Sequence, residues 1–179
     1  MSHFLFQAGN ETNSALLLGD GKFLSLAQIK SLPNVFGGVE LLTLSACNTA
    51  TGDSGANGKE VESFGVLAQR QGAKAVIASL WPVADSSTKE LMQDFYRLRE
   101  ATPDTTKAEA LRQAQLRLLR GETKTEGATR KAPPPDRGLR IEREEKPDSA
   151  NKPRFTPDPK KPYAHPYYWA PFILIGNWR

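Results

Sequence analysis

The sequence predicts an α/β fold, with helices on both faces of a mostly parallel central sheet. Three apolar runs bounded by turn-forming residues indicate buried strands, at residues 39–47, 75–81 and 172–176. Segments with helical periodicity separate these runs along the chain. Strands that alternate with helices are typical of a parallel sheet whose two faces are covered. We therefore expect three layers.

The first 38 residues predict small elements. These are, in order, a strand at 3–6, a strand at 15–18, a return strand from 23 and a helix over 26–31. Between the second and third strands, Gly19-Asp20-Gly21-Lys22 is a strong hairpin signal. Ser25 is a suitable N-cap for the helix, and Pro33 ends it.

Three longer helices are expected after residue 58. They cover a segment that ends near Gly72, a segment that begins after Asp85 or Ser86, and residues 106–119. Each carries apolar residues at helical spacing on one face. Asp85 and Ser86 are both suitable N-caps for the second of these helices.

Composition divides the chain into three parts. The 179 residues are 39% hydrophobic, which is enough for one core. Residues 121–162 hold eight prolines and almost no aliphatic side chains, so we predict a disordered insertion rich in Pro, Lys and Arg. The predicted core is then residues 1–120, completed by a C-terminal strand within 163–179.

Charge and cysteine content limit the possible partners. Twelve of the 24 basic residues lie between 120 and 161, where Phe155 is the only aromatic residue, so we expect no nucleic-acid partner for this domain. A single cysteine predicts no internal disulfide, and no apolar run reaches about 18 residues. We therefore expect a cytoplasmic domain with no membrane contact. The chain begins inside an apolar segment, which suggests a piece of a longer protein.

Cys47 is the candidate nucleophile because it ends the first apolar run and precedes a loop rich in Gly, Asn and Thr. Open α/β sheets bind their ligands at the carboxyl ends of the strands. The alternative is a buried structural cysteine, since a free thiol also behaves as a small apolar group.

The chain has two histidines that a thiol could use as a base. If the strand of His3 were parallel and adjacent to that of Cys47, both side chains could emerge at the same edge of the sheet, which would allow a Cys–His dyad. His165 precedes a strand, so we expect it at the opposite edge of the sheet in a packing or hydrogen-bonding role. One cysteine and two distant histidines give no metal-ligand spacing, so we expect no metal and no cofactor.

Six blocks of the sequence resemble the CHAT domain. They are residues 2–4 (Ser-His-Phe), 16–21 (Leu-Leu-Leu-Gly-Asp-Gly), 44–50 (Leu-Ser-Ala-Cys-Asn-Thr-Ala), 78–85 (Ala-Ser-Leu-Trp-Pro-Val-Ala-Asp), 107–115 (Lys-Ala-Glu-Ala-Leu-Arg-Gln-Ala-Gln) and 165–170 (His-Pro-Tyr-Tyr-Trp-Ala). CHAT domains are caspase-like cysteine peptidases related to separases, often fused to tetratricopeptide repeats. The resemblance implies a caspase-like fold whose first strands are missing here, a protein or peptide substrate, and an upstream repeat region or regulatory protein.

Carried over to this chain, the resemblance implies that His3 is the catalytic histidine and Cys47 the nucleophile. It also implies an oxyanion hole made by the backbone N–H groups of Phe4 and Cys47. The family usually has glycine where this chain has Phe4, and often Glu where it has Asn48. These departures bear on the geometry of the oxyanion hole and on substrate preference.

The resemblance also implies that Trp81 lies beside the cysteine and helps to line a substrate pocket. Asp53 and Asp85 would then receive a basic side chain by charge pairing. Other interpretations stay open: Trp81 is equally suited to a core wall, Asp85 to an N-cap, and Asp53 to an ordinary loop.

Two other functions remain possible from the sequence. One is a non-catalytic interaction module that keeps the fold within a larger assembly. The other is a different cysteine hydrolase, such as an amidase, with the thiol at a strand-to-helix elbow. The next helix signal begins at Val61, 14 residues after Cys47, which disfavours the elbow because an elbow needs the helix to start at once.

Overall fold

The computed structural model describes residues 4–5, 14–44, 59–81, 83–122 and 158–179. Its elements are β1 (Phe4–Leu5), β2 (Ala15–Leu17), β3 (Phe23–Ser25), α1 (Leu26–Ser31), β4 (Leu42–Leu44), α2 (Lys59–Arg70), β5 (Ala75–Ser79), α3 (Asp85–Ala101), α4 (Lys107–Arg120) and β6 (Phe172–Gly176). One turn of 3-10 helix, Pro166–Tyr168, precedes β6. The strands form two three-stranded sheets, β1-β2-β3 and β4-β5-β6.

The smaller sheet is antiparallel and contains the predicted hairpin. In the β2–β3 pair, Leu17 lies opposite Phe23. The turn is closed by the N–H of Leu18, which donates to the carbonyl of Lys22 at 2.8 Å. Gly21 has φ of 81°, a backbone conformation that glycine adopts without steric cost. The hairpin prediction is confirmed.

Helix α1 begins at the predicted cap. The hydroxyl of Ser25 accepts from the N–H of Gln28 at 3.1 Å, and the N–H of Ser25 donates to the Gln28 side chain at 2.8 Å. This reciprocal pair is a capping box, which satisfies two backbone donors that the helix cannot satisfy itself. Leu26 and Ile29 are buried, so the capped helix covers part of the core.

The larger sheet has a hydrophobic core on each face. Within β5, Val76 and Ala78 belong to the core cluster that includes residues of α1 and α2, whereas Ile77 belongs to the cluster that includes residues of α3 and α4. This division follows from the alternation of side chains along a strand. The predicted three-layer α/β arrangement, with helices on both faces of the sheet, is confirmed, although the described sheet is small.

The strand directions differ from the prediction at β6. Strands β4 and β5 are parallel, with Leu42 opposite Val76 and Leu44 opposite Ala78. Strand β6 is antiparallel to β5, so that its first residue, Phe172, lies opposite the last residue of β5, Ser79. The expectation of a parallel direction is therefore correct for β4 and β5 and wrong for β6.

The reason lies in the two helices between β5 and β6. Helices α3 and α4 pack against each other and are joined by the short connection 102–106, so they form an antiparallel hairpin. One helix after a strand returns the chain to the strand's beginning, whereas two helices return it to the strand's end. Gln115 of α4 then donates to the carbonyls of Trp169 and Phe172, at 3.0 and 2.9 Å. Strand β6 must therefore start at the carboxyl end of β5.

Most of the predicted insertion lies outside the described residues, between 122 and 158. The residues on its two sides lie next to each other. Gly121, with φ of 72°, ends α4, and a Cβ atom built on it would be 2.8 Å from the carbonyl oxygen of Lys160. The domain boundaries at 120 and 163 remain predictions, and they are consistent with a chain that leaves and re-enters the fold at one place.

Candidate functional site

The predicted site residues divide into those that the structure describes and those that it does not. His3, Cys47 and Asp53 lie outside the described residues. The backbone of Phe4 belongs to β1, and Trp81 and Asp85 are both described. The His3–Cys47 dyad and the oxyanion hole at Phe4 and Cys47 therefore remain predictions.

The carboxyl edge of the larger sheet is the candidate site. Parallel pairing brings the end of β4 beside the end of β5, with Leu44 opposite Ala78. Cys47 follows Leu44 by three residues in the sequence, and Trp81 follows Ser79 by two. Ligands of open α/β sheets bind at this kind of edge. Trp81 is therefore on the edge at which the strand preceding the cysteine ends.

Trp81 is half-buried and held by a hydrogen bond. Its indole Nε1 donates to the backbone carbonyl of Tyr167 at 3.1 Å. This contact joins the end of β5 to the segment before β6, 86 residues further along the chain. A partly exposed indole whose polar atom is engaged presents an apolar surface in a fixed orientation. Trp81 is thus not a fully buried core residue, and a role as a pocket wall remains open.

The segment before β6 is a tight aromatic turn at the same edge. The N–H of Leu80 donates to the carbonyl of Pro171 at 3.0 Å, which fixes this turn against the end of β5. Tyr168 is buried and packs edge-to-face against Tyr163 and Tyr167, with ring centroids 5.3 and 5.5 Å apart. Burial and the two neighbouring tyrosines raise the pKa of the Tyr168 hydroxyl. In the sequence, the run of aromatic residues was the only sign of this tightly packed turn.

His165 has the hydrogen-bonding role that the sequence predicted. It is the N-cap of the 3-10 helix, and its Nδ1 accepts from the N–H of Tyr167 at 3.1 Å. Its predicted location is wrong. Because β6 is antiparallel to β5, the turn that contains His165 lies at the carboxyl edge of β5 and not at the opposite edge.

Asp85 is exposed and lies one residue inside α3. The N-cap of this helix is Ala84, which makes no side-chain capping bond, so the predicted capping by Asp85 or Ser86 is wrong. Ser87, Leu91 and Phe95 are four residues apart on one face of α3, and all three are buried. The packing of this face, and not a capping side chain, therefore sets the start of the helix. The carboxylate of Asp85 instead occupies the first turn, where the positive end of the helix dipole favours a negative charge.

In the part of the chain that the structure describes, strand β1 does not pair with β4, as a dyad formed by His3 and Cys47 on adjacent parallel strands would require. Phe4 lies opposite Leu16 in an antiparallel pair, within the smaller sheet. Among the described residues, β4 pairs with β5 and not with β1. The assumption that the His3 strand is parallel and adjacent to the Cys47 strand is therefore not met by the described part of β1.

The described residues contain no group of three or more His, Cys, Asp or Glu side chains that could hold a metal ion. None of the helices described is both long and apolar enough to cross a membrane.

Helices on both faces of the larger sheet, with β4 and β5 parallel, are consistent with a truncated caspase-like α/β fold. The family model of the CHAT domain matches residues 1–177. The chain therefore belongs to the CHAT domain family, as the six sequence blocks predicted. No curated protein matches the chain significantly.

Proposed function

We propose that this domain is a cysteine endopeptidase with Cys47 as nucleophile and His3 as base. The observation that supports the proposal is the parallel pairing of β4 with β5, because the strand before Cys47 then ends at the sheet edge that carries Trp81. Membership of a peptidase-related family supports it independently. A free thiol also suits the reducing cytoplasmic setting that we propose for it.

The proposed reaction has two stages. His3 takes the thiol proton, and the Cys47 thiolate attacks the scissile carbonyl to form a tetrahedral oxyanion. The backbone N–H groups of Phe4 and Cys47 stabilise that charge. The C–N bond then breaks as His3 gives its proton to the leaving amine, and water hydrolyses the acyl-enzyme.

We propose that the substrate carries a basic residue before the scissile bond. The carboxylate of Asp85 is exposed in the first turn of α3, four residues after Trp81, and it makes none of the ion pairs found among the described residues. A carboxylate suits a cationic side chain by charge pairing, and an indole face suits one by cation–π attraction. In this proposal Asp53 adds a second carboxylate.

The second candidate is a non-catalytic interaction module, controlled by or attached to an upstream tetratricopeptide-repeat region or a regulatory protein. The observation that favours it is the pairing of β1 with β2 instead of β4. No described strand pairing then brings His3, which directly precedes β1, to the sheet edge at which β4 ends. The two candidates differ in whether the thiol is activated.

Labelling with peptide acyloxymethyl ketones that carry Arg, Lys or Asp at the first position distinguishes the candidates. The full-length protein that carries this domain is treated with each probe, and the Cys47 adduct is measured by mass spectrometry. We expect adducts with the Arg and Lys probes, none in Cys47→Ala, and a large loss of rate in His3→Ala. An adduct with the Asp probe alone would contradict the basic-residue preference. No adduct with any probe would favour the interaction module.

A further inference from the structure

Gln115 of α4 holds the turn before β6 by two hydrogen bonds. Its side-chain amide nitrogen donates to the carbonyl oxygens of Trp169 and Phe172, at 3.0 and 2.9 Å. Both neighbours of this nitrogen are acceptors, so both of its N–H groups are engaged and the side chain has one orientation. One polar side chain thus fixes two backbone carbonyls that lie three residues apart.

Packing alone does not explain a glutamine at this position. Gln115 is half-buried, and the residues one turn away on the same face of α4, Leu111 and Leu118, are buried and apolar. An amide placed beside them costs free energy unless its donors are bonded. An apolar side chain of similar size would fill the same space and leave the two carbonyls unconstrained. The amide therefore adds a fixed backbone conformation to the turn.

The same turn is also held by the end of β5. The indole nitrogen of Trp81 donates to the carbonyl of Tyr167 at 3.1 Å. Within the turn, the N–H of Ala170 donates to the carbonyl of Pro166 at 2.8 Å, so the short chain from Tyr167 to Phe172 is internally bonded. A shift of the end that Gln115 holds is therefore passed on to the carbonyl that orients Trp81.

We propose that Gln115 is a positioning residue of the substrate site, which sets the orientation of the Trp81 indole through this turn. The inference rests on the proposed peptidase function, in which Trp81 lines the pocket for the residue before the scissile bond. Gln115 itself touches no substrate. An indole that is free to reorient loses part of its contact with a bound cationic side chain, so loosening the turn weakens peptide binding more than the chemical step.

Gln115→Met in the full-length protein tests the proposal, because methionine has a similar length and volume and no donor. We expect kinact/KI for the Arg ketone to fall about threefold to tenfold, the effect of one neutral hydrogen bond, with most of the loss in KI. Gln113→Met is the matched control. It makes the same change two residues away on α4, where the amide donates to the carboxylate of Glu109 at 2.7 Å, and it should leave kinact/KI unchanged.

Iodoacetamide is the control reagent because it has no peptide chain to bind. It should label Cys47 at the same rate in the wild type and in both methionine variants. Equal kinact/KI values for the Arg ketone in the wild type and Gln115→Met, or an equal loss of rate with iodoacetamide, would overturn the inference and leave the peptidase function standing. No labelling of the wild type by any ketone would overturn both.

The double variant Gln115→Met/Trp81→Phe tests the route of the effect. Phenylalanine has no indole N–H, so the turn no longer orients the ring at this position. If Gln115 acts through that bond, adding Gln115→Met to Trp81→Phe should lower kinact/KI by less than about twofold. Losses that multiply in the double variant would overturn the inference.

Hydrogen exchange of the Trp81 indole tests the inference without a labelling reagent. In Gln115→Met, the indole N–H of Trp81 should exchange about threefold to tenfold faster relative to the backbone amides of β5, which report unfolding of the core. Gln113→Met should leave this ratio unchanged. An unchanged ratio in Gln115→Met would make Gln115 a purely structural residue and would overturn the inference, whatever the outcome for the peptidase function.

Discussion

The indole nitrogen of Trp81 lies 3.1 Å from the carbonyl oxygen of Tyr167 and donates a hydrogen bond to it. This bond connects the end of β5 to the aromatic turn before β6. The bond helps to hold this turn, which carries His165 and leads into β6 of the larger sheet. It also orients the one predicted pocket wall that the structure describes.

Trp81→Phe should destabilise the fold by about 1 kcal/mol, since the carbonyl of Tyr167 loses its donor while most of the ring's packing stays. Urea denaturation followed by circular dichroism measures the change. Trp178→Phe is the matched control, because Trp178 is exposed and its substitution should change the free energy of unfolding by less than about 0.5 kcal/mol. Equal stability of Trp81→Phe and the wild type would show that the bond contributes nothing.

Gly65→Ala tests the close approach of α2 to β6. A Cβ atom at Gly65 would overlap the Cδ1 atom of Ile175, and the three heavy atoms nearest to it would all belong to that side chain. We expect a loss of about 1–3 kcal/mol from overpacking, which outweighs the gain of about 1 kcal/mol from replacing a helical glycine.

The double variant Gly65→Ala/Ile175→Val identifies the cause of that loss. Valine lacks the Cδ1 atom, so it should recover most of the stability, beyond the cost of about 0.5–1.5 kcal/mol for Ile175→Val alone. Additive effects of the two substitutions would contradict the proposed overlap.

Asp94 should stabilise the fold more at low pH than at higher pH, which is the opposite of the usual effect of a carboxyl group. It is 5% exposed in α3 and lies near Arg97 and Arg117, with Arg117 at 3.8 Å. Burial raises the pKa of its carboxyl above 3.8, although both arginines act to lower it. The folded state then binds this proton more tightly than the unfolded chain does. The contribution of Asp94 is therefore fully present below pH 3.8 and is lost as pH rises through the raised pKa.

The measurement is the difference in free energy of unfolding between the wild type and Asp94→Asn across this range. The wild type should lose stability relative to the variant as pH rises from 3.8. Asp104→Asn removes the same charge from an exposed position and reports the general effect of net charge. A difference that moves in the opposite direction would mean that the two arginines outweigh burial.

Replacement of residues 123–157 by a linker of about eight Gly and Ser residues should leave the domain folded. Gly121 lies beside Lys160, so a short connection can join the two ends. A loop about four times shorter costs about 1 kcal/mol less to close, so the free energy of unfolding should be unchanged or slightly higher.

A second deletion serves as the control for the first. Extending it through Tyr163 removes a buried ring that packs against Tyr168, and this should lower Tm markedly. If the shorter deletion also abolishes cooperative unfolding, the predicted boundary between core and insertion is wrong.

Much of the local structure was predictable from the sequence because its causes are local. Gly21 permits the hairpin turn, and the Ser25–Gln28 pair starts α1 at the predicted residue. The apolar run at Phe172–Gly176 is a strand with the predicted bounds. The start of α3 was mispredicted because Ser87 is buried in the core, and a capping preference at Asp85 carries no information about that packing.

By itself the sequence determined the strands, most helix ends and the family, and it offered one cysteine as the candidate nucleophile. Only the tertiary structure decided the direction of β6, the pairing of β1 with β2, and the edge at which His165 lies. The physical reason is that an apolar run looks the same whichever way its strand runs in the sheet. Its direction comes from how the preceding helices return the chain, and here the α3–α4 hairpin brings His165 to the edge that holds Trp81.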